Sequence, residues 1–333
     1  CERRHQETRI WYSDGAANKR RQAITTMKNT LHRFGLLLLA CAISGCVEFQ
    51  EQTMSYRYDK PADELRIFQD YRGIFGGGDG PDSTPGAELS AREQGELASV
   101  LEGQRTFFFA NWIFEYDREA MQTLRDNLDG PEGPELTATE KPKLEKLLDT
   151  AIANIAVTNG PFYFGNDGKL CGVQSVKISN WSEIVAEINK CKAFFSQEFS
   201  KDEDTTDADR EAIASFNANP DEKMLRTDVN SFTLRVPMSR ASFDMMFVTE
   251  PDQKQETERL RAAGIRISWS DCAAIFRIGE ADDETTRITL SVSVIDYRPN
   301  AVAAVRAAEQ EIKKNFDPVA AARAFLLSEP AED

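Results

Sequence analysis

Beyond residue 46 the chain contains no histidine: His5 and His32, its only two, both precede Cys46. That removes Ser-His-Asp and Cys-His nucleophile pairs, imidazole bases and histidine-based zinc or copper sites from the long C-terminal part. Carboxylate, lysine and tyrosine chemistry remain. Two carboxylates about 5–9 Å apart suffice for glycan cleavage. Glu115, Asp117 and Glu119 stand beside the aromatic runs Phe107-Phe108-Phe109 and Trp112-Ile113-Phe114, but an exposed helix start accounts for the three acids more simply. The same aromatics could line a cleft for an apolar ligand, although a run beside a helix is more often core. Asp202, Asp204 and Asp207 lack the framework of a calcium loop, with Ile213 where the closing glutamate should stand. The loop Gly76-Gly77-Gly78-Asp79-Gly80-Pro81 lacks the lysine of a phosphate loop. No metal and no cofactor is expected.

Cys46 is different. Lys28 and Arg33 lead into an apolar run from Phe34 to Ile43, and Ile43-Ser44-Gly45-Cys46 closes the segment. A run of about ten residues is too short to span roughly 30 Å of hydrocarbon. A basic flank, an apolar middle and a small-residue end are the parts of a secretion signal. Small side chains let a peptidase reach the backbone, and a thiol is a nucleophile that can accept lipid. Met27 to Cys46 resembles the lipobox signal of bacterial lipoproteins. The resemblance implies cleavage between Gly45 and Cys46, diacylglycerol on the Cys46 thiol, and usually a fatty acyl chain such as palmitate on the new amino group. Two or three chains anchor durably where one is marginal. The partner implied is the lipid bilayer, reached through acylated Cys46, with the body facing the periplasm of a bacterial cell envelope. Val47, where an Asp would hold the protein in the inner membrane, points to the outer membrane. Residues 1–26 contain no methionine and read as an upstream segment outside the translated or structured protein. Residues 27–45 read as the signal peptide, and 46–333 as one globular domain, with a division near 201–222 as the alternative.

The first 45 residues carry eight of the 40 Lys/Arg and three of the 55 Asp/Glu, which leaves 32 and 52, a net charge of −20. That balance argues against nucleic acid, which needs a basic face, and is accounted for by solubility. With Cys46 acylated, three thiols remain. An exported compartment permits disulfides. Cys171–Cys191, which would tie a strand to the helix after it, is the expected pair, and Cys171–Cys272 the next choice. The spacings fit no zinc pattern.

The elements that position these residues read as α+β, a mostly antiparallel sheet packed with several helices. Phe49 to Tyr58 and Leu65 to Tyr71 form a hairpin, the first strand partly exposed. Ser90 to Glu102, Asp117 to Leu128 and Thr139 to Val157 are helical, the last with Leu144, Leu147, Leu148, Ile152 and Ile155 on its buried face. Phe162 to Phe164 and Leu170 to Ile178 pair across Asn166-Asp167-Gly168. Asn180 caps a helix with Glu183 as its capping-box partner, its apolar face running on through Cys191 to Phe195. Lys201 to Glu211 is a solvated loop and helix start. Ser231 to Val236, Ile265 to Trp269, Cys272 to Ile278 and Arg287 to Ile295 are strands. Arg240 to Phe247, Pro251 to Ala263, Pro299 to Phe316 and Pro318 to Leu327 are helices. The function expected is that of a membrane-anchored, non-catalytic exported lipoprotein in binding, assembly or envelope maintenance. A carboxylate-dependent glycan hydrolase and an apolar-ligand carrier are the alternatives.

Overall fold

The computed structural model describes residues 47–76, 88–106, 116–130, 133–134, 136–200, 205–228, 231–249, 257–258, 260–262, 264–279, 285–291 and 297–328. The fold is α+β. In chain order the elements are β1 (Val47–Glu48), β2 (Glu51–Asp59), β3 (Glu64–Arg72), β4 (Phe75–Gly76), α1 (Ala91–Leu101), α2 (Arg118–Asp126), α3 (Lys141–Asn154), β5 (Ile155–Phe164) and β6 (Leu170–Ile178). They continue with α4 (Trp181–Lys190), α5 (Lys192–Ser200), α6 (Asp207–Ala218), β7 (Leu225–Asp228), β8 (Ser231–Pro237) and α7 (Arg240–Asp244), which runs into a π-helical turn at Met245–Thr249. The last are β9 (Ile265–Ser270), β10 (Ala273–Ile278), β11 (Thr286–Ser291), α8 (Ala301–Ala307), β12 (Ile312–Lys313) and α9 (Pro318–Leu326).

Six strands form the main sheet in the order β11-β2-β3-β6-β5-β12, antiparallel except where β12 runs parallel to β5. A second sheet, β7-β8-β10-β9, is wholly antiparallel. The two-residue alternation of side chains gives the central strand β3 two opposite faces, and both are buried. Leu65, Ile67, Gln69 and Tyr71 point one way; Arg66, Phe68, Asp70 and Arg72 point the other. β2 is likewise mostly buried, so its expected partial exposure holds only at the ends.

On the first face Met54, Tyr56, Leu65, Ile67, Val176 and Ile178 join Leu144, Leu147, Leu148 and Ala151 of α3 in the largest hydrophobic cluster. The second sheet packs into the same cluster through Phe232, Val236, Ala274 and Phe276. Tyr56 links the sheets: its ring lies 4.5 Å from that of Phe232, and its hydroxyl donates to the Ile278 carbonyl at 2.9 Å. Each such large buried side chain contributes about 1.5–3 kcal/mol of burial free energy. A belt of buried amides follows on the same face. Gln52 Nε2 donates to Gln69 Oε1 (2.7 Å) and Gln174 Nε2 to Asn159 Oδ1 (2.8 Å), while Asn159 Nδ2 donates to the Val100 and Leu101 carbonyls that end α1. Beyond the belt Val47, Phe49, Tyr71, Ile74, Leu97, Val100 and Val305 form a second cluster. There Gly76 exchanges two hydrogen bonds with the Asn300 side chain. A Cβ on Gly76 would lie 2.5 Å from Leu89 Cδ2 and 2.6 Å from Glu93 Oε1, so any larger residue would force these side chains to shift.

Four boundaries differ from those the sequence suggests. The helix expected to Val157 stops at Asn154, because β-branched Ile155 and Val157 enter β5 opposite Ile178 and Val176. Asn180 adopts a left-handed conformation (φ 50°) and makes no side-chain cap. The cap of α4 comes instead from Asp63 in the β2–β3 turn, whose carboxylate accepts from Ser182 N (2.9 Å) and Ser182 Oγ (2.6 Å); Glu183 pairs with Lys146. The helix expected to run through Cys191 breaks there into α4 and α5. Lys192, just past the break, donates to the carbonyls of Phe216, Asn219 and Glu222 and so closes the end of α6. The helix from Pro299 ends at Ala307, and Ile312 turns back as an edge strand beside Phe162.

Candidate functional site

Those of the acids singled out by their spacing that lie among the described residues serve local structure. Asp117 caps α2, accepting from Ala120 N at 2.9 Å, and pairs with Arg105 at 3.4 Å. Glu119 is exposed in the first turn of that helix. Asp207 is exposed and pairs with Arg210. Asp167 accepts from Lys169 N inside its turn. Gly45, Cys46, Glu115, Asp202, Asp204 and the aromatics 107–114 lie outside the described residues. Among the described residues no group of three His, Cys, Asp or Glu side chains could hold a metal ion. The three thiols are free and apart. Cys171 packs with Phe68 and Tyr163 on the second sheet face, Cys191 sits in the large cluster on the first, and Cys272 is half-buried. Burial raises the pKa of all three, that of Cys191 to about 12.

One described residue of the acidic segment is far from solvated. Asp209, 7% exposed, accepts from Thr206 N (3.1 Å) and Oγ1 (2.6 Å) at the start of its own helix. It also accepts from Ser239 N (2.8 Å) and Ser242 Oγ (2.8 Å) at the start of α7. Burial alone would raise its pKa, but these donors outweigh burial and hold the carboxyl down at about 2. The network joins two helix starts.

Among the described residues an arrangement able to receive a ligand lies on the second face of the main sheet. Helix α9 crosses that face with Ala322, Phe325 and Leu326 against Phe68, Tyr163 and Val173. Its proline opens the helix, and Asp317 caps it by accepting from Val319 N and Ala320 N. Its far end is clamped: Arg57 Nη1 donates to the Leu326 carbonyl, and the buried Arg66 donates to Ser328 Oγ and the Ser328 carbonyl. Glu64 holds Arg66 (2.5 Å) and Lys177 (2.6 Å); burial works to raise its pKa, but the two cations carry it below the usual value.

Between α9 and the sheet lies a cavity of about 280 Å³ that runs along the helix from Pro318 to Leu327. Its floor is Thr53, Ser55, Phe68 and Asp70, its roof Pro318, Val319, Ala322 and Leu326, and Arg287 and Arg323 stand at its edge. Small hydroxyl side chains on β2, facing a helix with alanine at the crossing point, account for the space. Asp70 is already engaged: Tyr163 OH donates to Oδ1 at 2.5 Å and Arg72 Nε to Oδ2 at 3.0 Å. Burial, reinforced by that bond to Asp70, raises the Tyr163 pKa, so the phenol keeps its proton. With both its oxygens bonded to donors, Asp70 is poorly placed to act as a base. Thr53 and Thr289 hydroxyls bond each other at 3.0 Å across the β2–β11 ladder. The cavity therefore offers recognition: apolar walls, a Ser55 hydroxyl, and two guanidinium groups. None of these residues stands out in sequence. The one available signal was Asp70, a carboxylate within the otherwise largely apolar strand Leu65 to Tyr71. No family model matches the chain, and neither a curated protein nor a solved structure does.

Proposed function

We propose that the chain is an exported lipoprotein, held at a bilayer by acyl chains on Cys46, whose body works by binding rather than by catalysis. The observation that carries this reading is the order of basic flank, apolar run and Ile43-Ser44-Gly45-Cys46, with a core residue immediately after it. Val47 is 1% exposed, in β1, and pairs with Gly76. Lipid on residue 46 would then lie one 3.8 Å backbone step from the packed body. The supply of a bilayer from outside is consistent with the body itself: among the described residues no helix is long and apolar enough to cross a membrane. Binding is supported by a cavity whose one carboxylate is committed to Tyr163 and Arg72. The test is metabolic labelling with an alkyne analogue of palmitate. Wild-type chain is expected to carry the label and to begin at Cys46 after processing, and Cys46→Ser to do neither. Label retained by Cys46→Ser, or absent from wild type, would overturn the assignment.

A further inference from the structure

We propose that the cavity under α9 binds a small organic anion, a carboxylate with a short apolar tail. Three observations point to that class. The first is size. A volume of about 280 Å³ corresponds to about nine water volumes at roughly 30 Å³ each, the room needed by an unbranched chain of about ten heavy atoms. The second is the division of the lining. Buried Phe68 on the floor and buried Ala322 and Leu326 on the roof supply apolar surface on two sides, which suits a hydrocarbon tail, while Val319 is exposed.

The third is charge. The body is strongly acidic, yet two arginines meet at this cavity from different elements, Arg287 from β11 beside Ser55 and Arg323 from α9. Neither pairs with a carboxylate among the described residues. The nearest acid on the floor, Asp70, has both oxygens occupied by Tyr163 and Arg72, so its charge is balanced before any ligand arrives. Guanidinium groups select planar carboxylates because their paired donors match the two oxygens. A ligand with its head between Arg287 and Arg323 and its tail beneath Ala322 would satisfy both halves of the lining.

This proposal deepens the binding reading of the body and is independent of the anchor, since palmitate labelling reports on Cys46 and the following titration on the cavity. The full chain as purified, in phospholipid nanodiscs if it carries lipid and in buffer if it does not, is titrated calorimetrically with octanoate, with empty nanodiscs or buffer as blank. One-to-one binding is expected, with octanol, the uncharged chain of equal length, at least tenfold weaker. Arg287→Gln and Arg323→Gln are each expected to weaken octanoate about tenfold, and raised salt to weaken it further. Ala322→Phe, which fills the cavity, is expected to abolish binding; should that variant fail to fold, the arginine variants decide. Absence of octanoate binding, equal affinity for octanol, or unchanged affinity in the double arginine variant would overturn the proposal.

Discussion

Removing the Asp209 carboxylate tests the account of how two helices are held to each other. Asp209→Asn keeps the shape of the side chain but gives up its charge and one acceptor oxygen. In the native fold the carboxyl has a pKa of about 2, against 3.8 for the free side chain. At about 1.36 kcal/mol per unit the difference corresponds to about 2.4 kcal/mol, and partial solvent screening of the network reduces it to about 1–2 kcal/mol. Because the folded pKa lies below the unfolded one, this stabilisation is fully present above pH 3.8 and is lost as pH falls through about 2. Urea unfolding of the purified chain, followed by far-ultraviolet circular dichroism, is the assay. At pH 7 the Asn variant is expected to be about 1–2 kcal/mol less stable, and the gap to narrow to a few tenths of a kcal/mol near pH 2. Asp209→Ala, which also strands the Ser239 N–H and the Ser242 hydroxyl, is expected to cost about 3 kcal/mol. Equal stability of wild type and Asp209→Asn at pH 7, or a gap that does not shrink in acid, would refute the reasoning.

Two further outcomes are expected. Asp63→Ala removes the cap of α4 and the acceptor of the Tyr58 hydroxyl; a loss of about 1–2 kcal/mol is expected, read as a fall in melting temperature of a few degrees, and an unchanged melting point would contradict the capping role. Under native conditions iodoacetamide is expected to modify half-buried Cys272 first, and buried Cys171 and Cys191 only on unfolding; mass spectrometry of the peptides, with and without prior reduction, shows whether Cys191 instead reacts alongside Cys272 and whether it is bonded to Cys171.

Local signals carried most of the architecture. The β2–β3 hairpin, the turn Asn166-Asp167-Gly168, the stripe Leu144, Leu147, Leu148 and the proline at the start of α9 are all written in neighbouring residues, and the folded chain uses each of them. What was illegible depended on distant partners. Asn180 looked like a cap, but Asp63, more than a hundred residues earlier, reaches the helix start first. Ile155 fits the apolar stripe of α3, but its place opposite Ile178 draws it into a strand. The cavity could not be read at all, because its floor, roof and two arginines come from four separate segments that only the sheet order and the crossing of α9 bring together.

Burial of Val47 has a mechanical consequence. Tension on the preceding residue enters the fold without slack, since no flexible leash intervenes. The two pairs Val47–Gly76 and Glu48–Phe75 take the load first, and behind them the nine-residue ladder of β2 against β3 resists it. A molecule gripped at this point would travel and tilt with whatever holds it, and its reach outward would be set by its own dimensions.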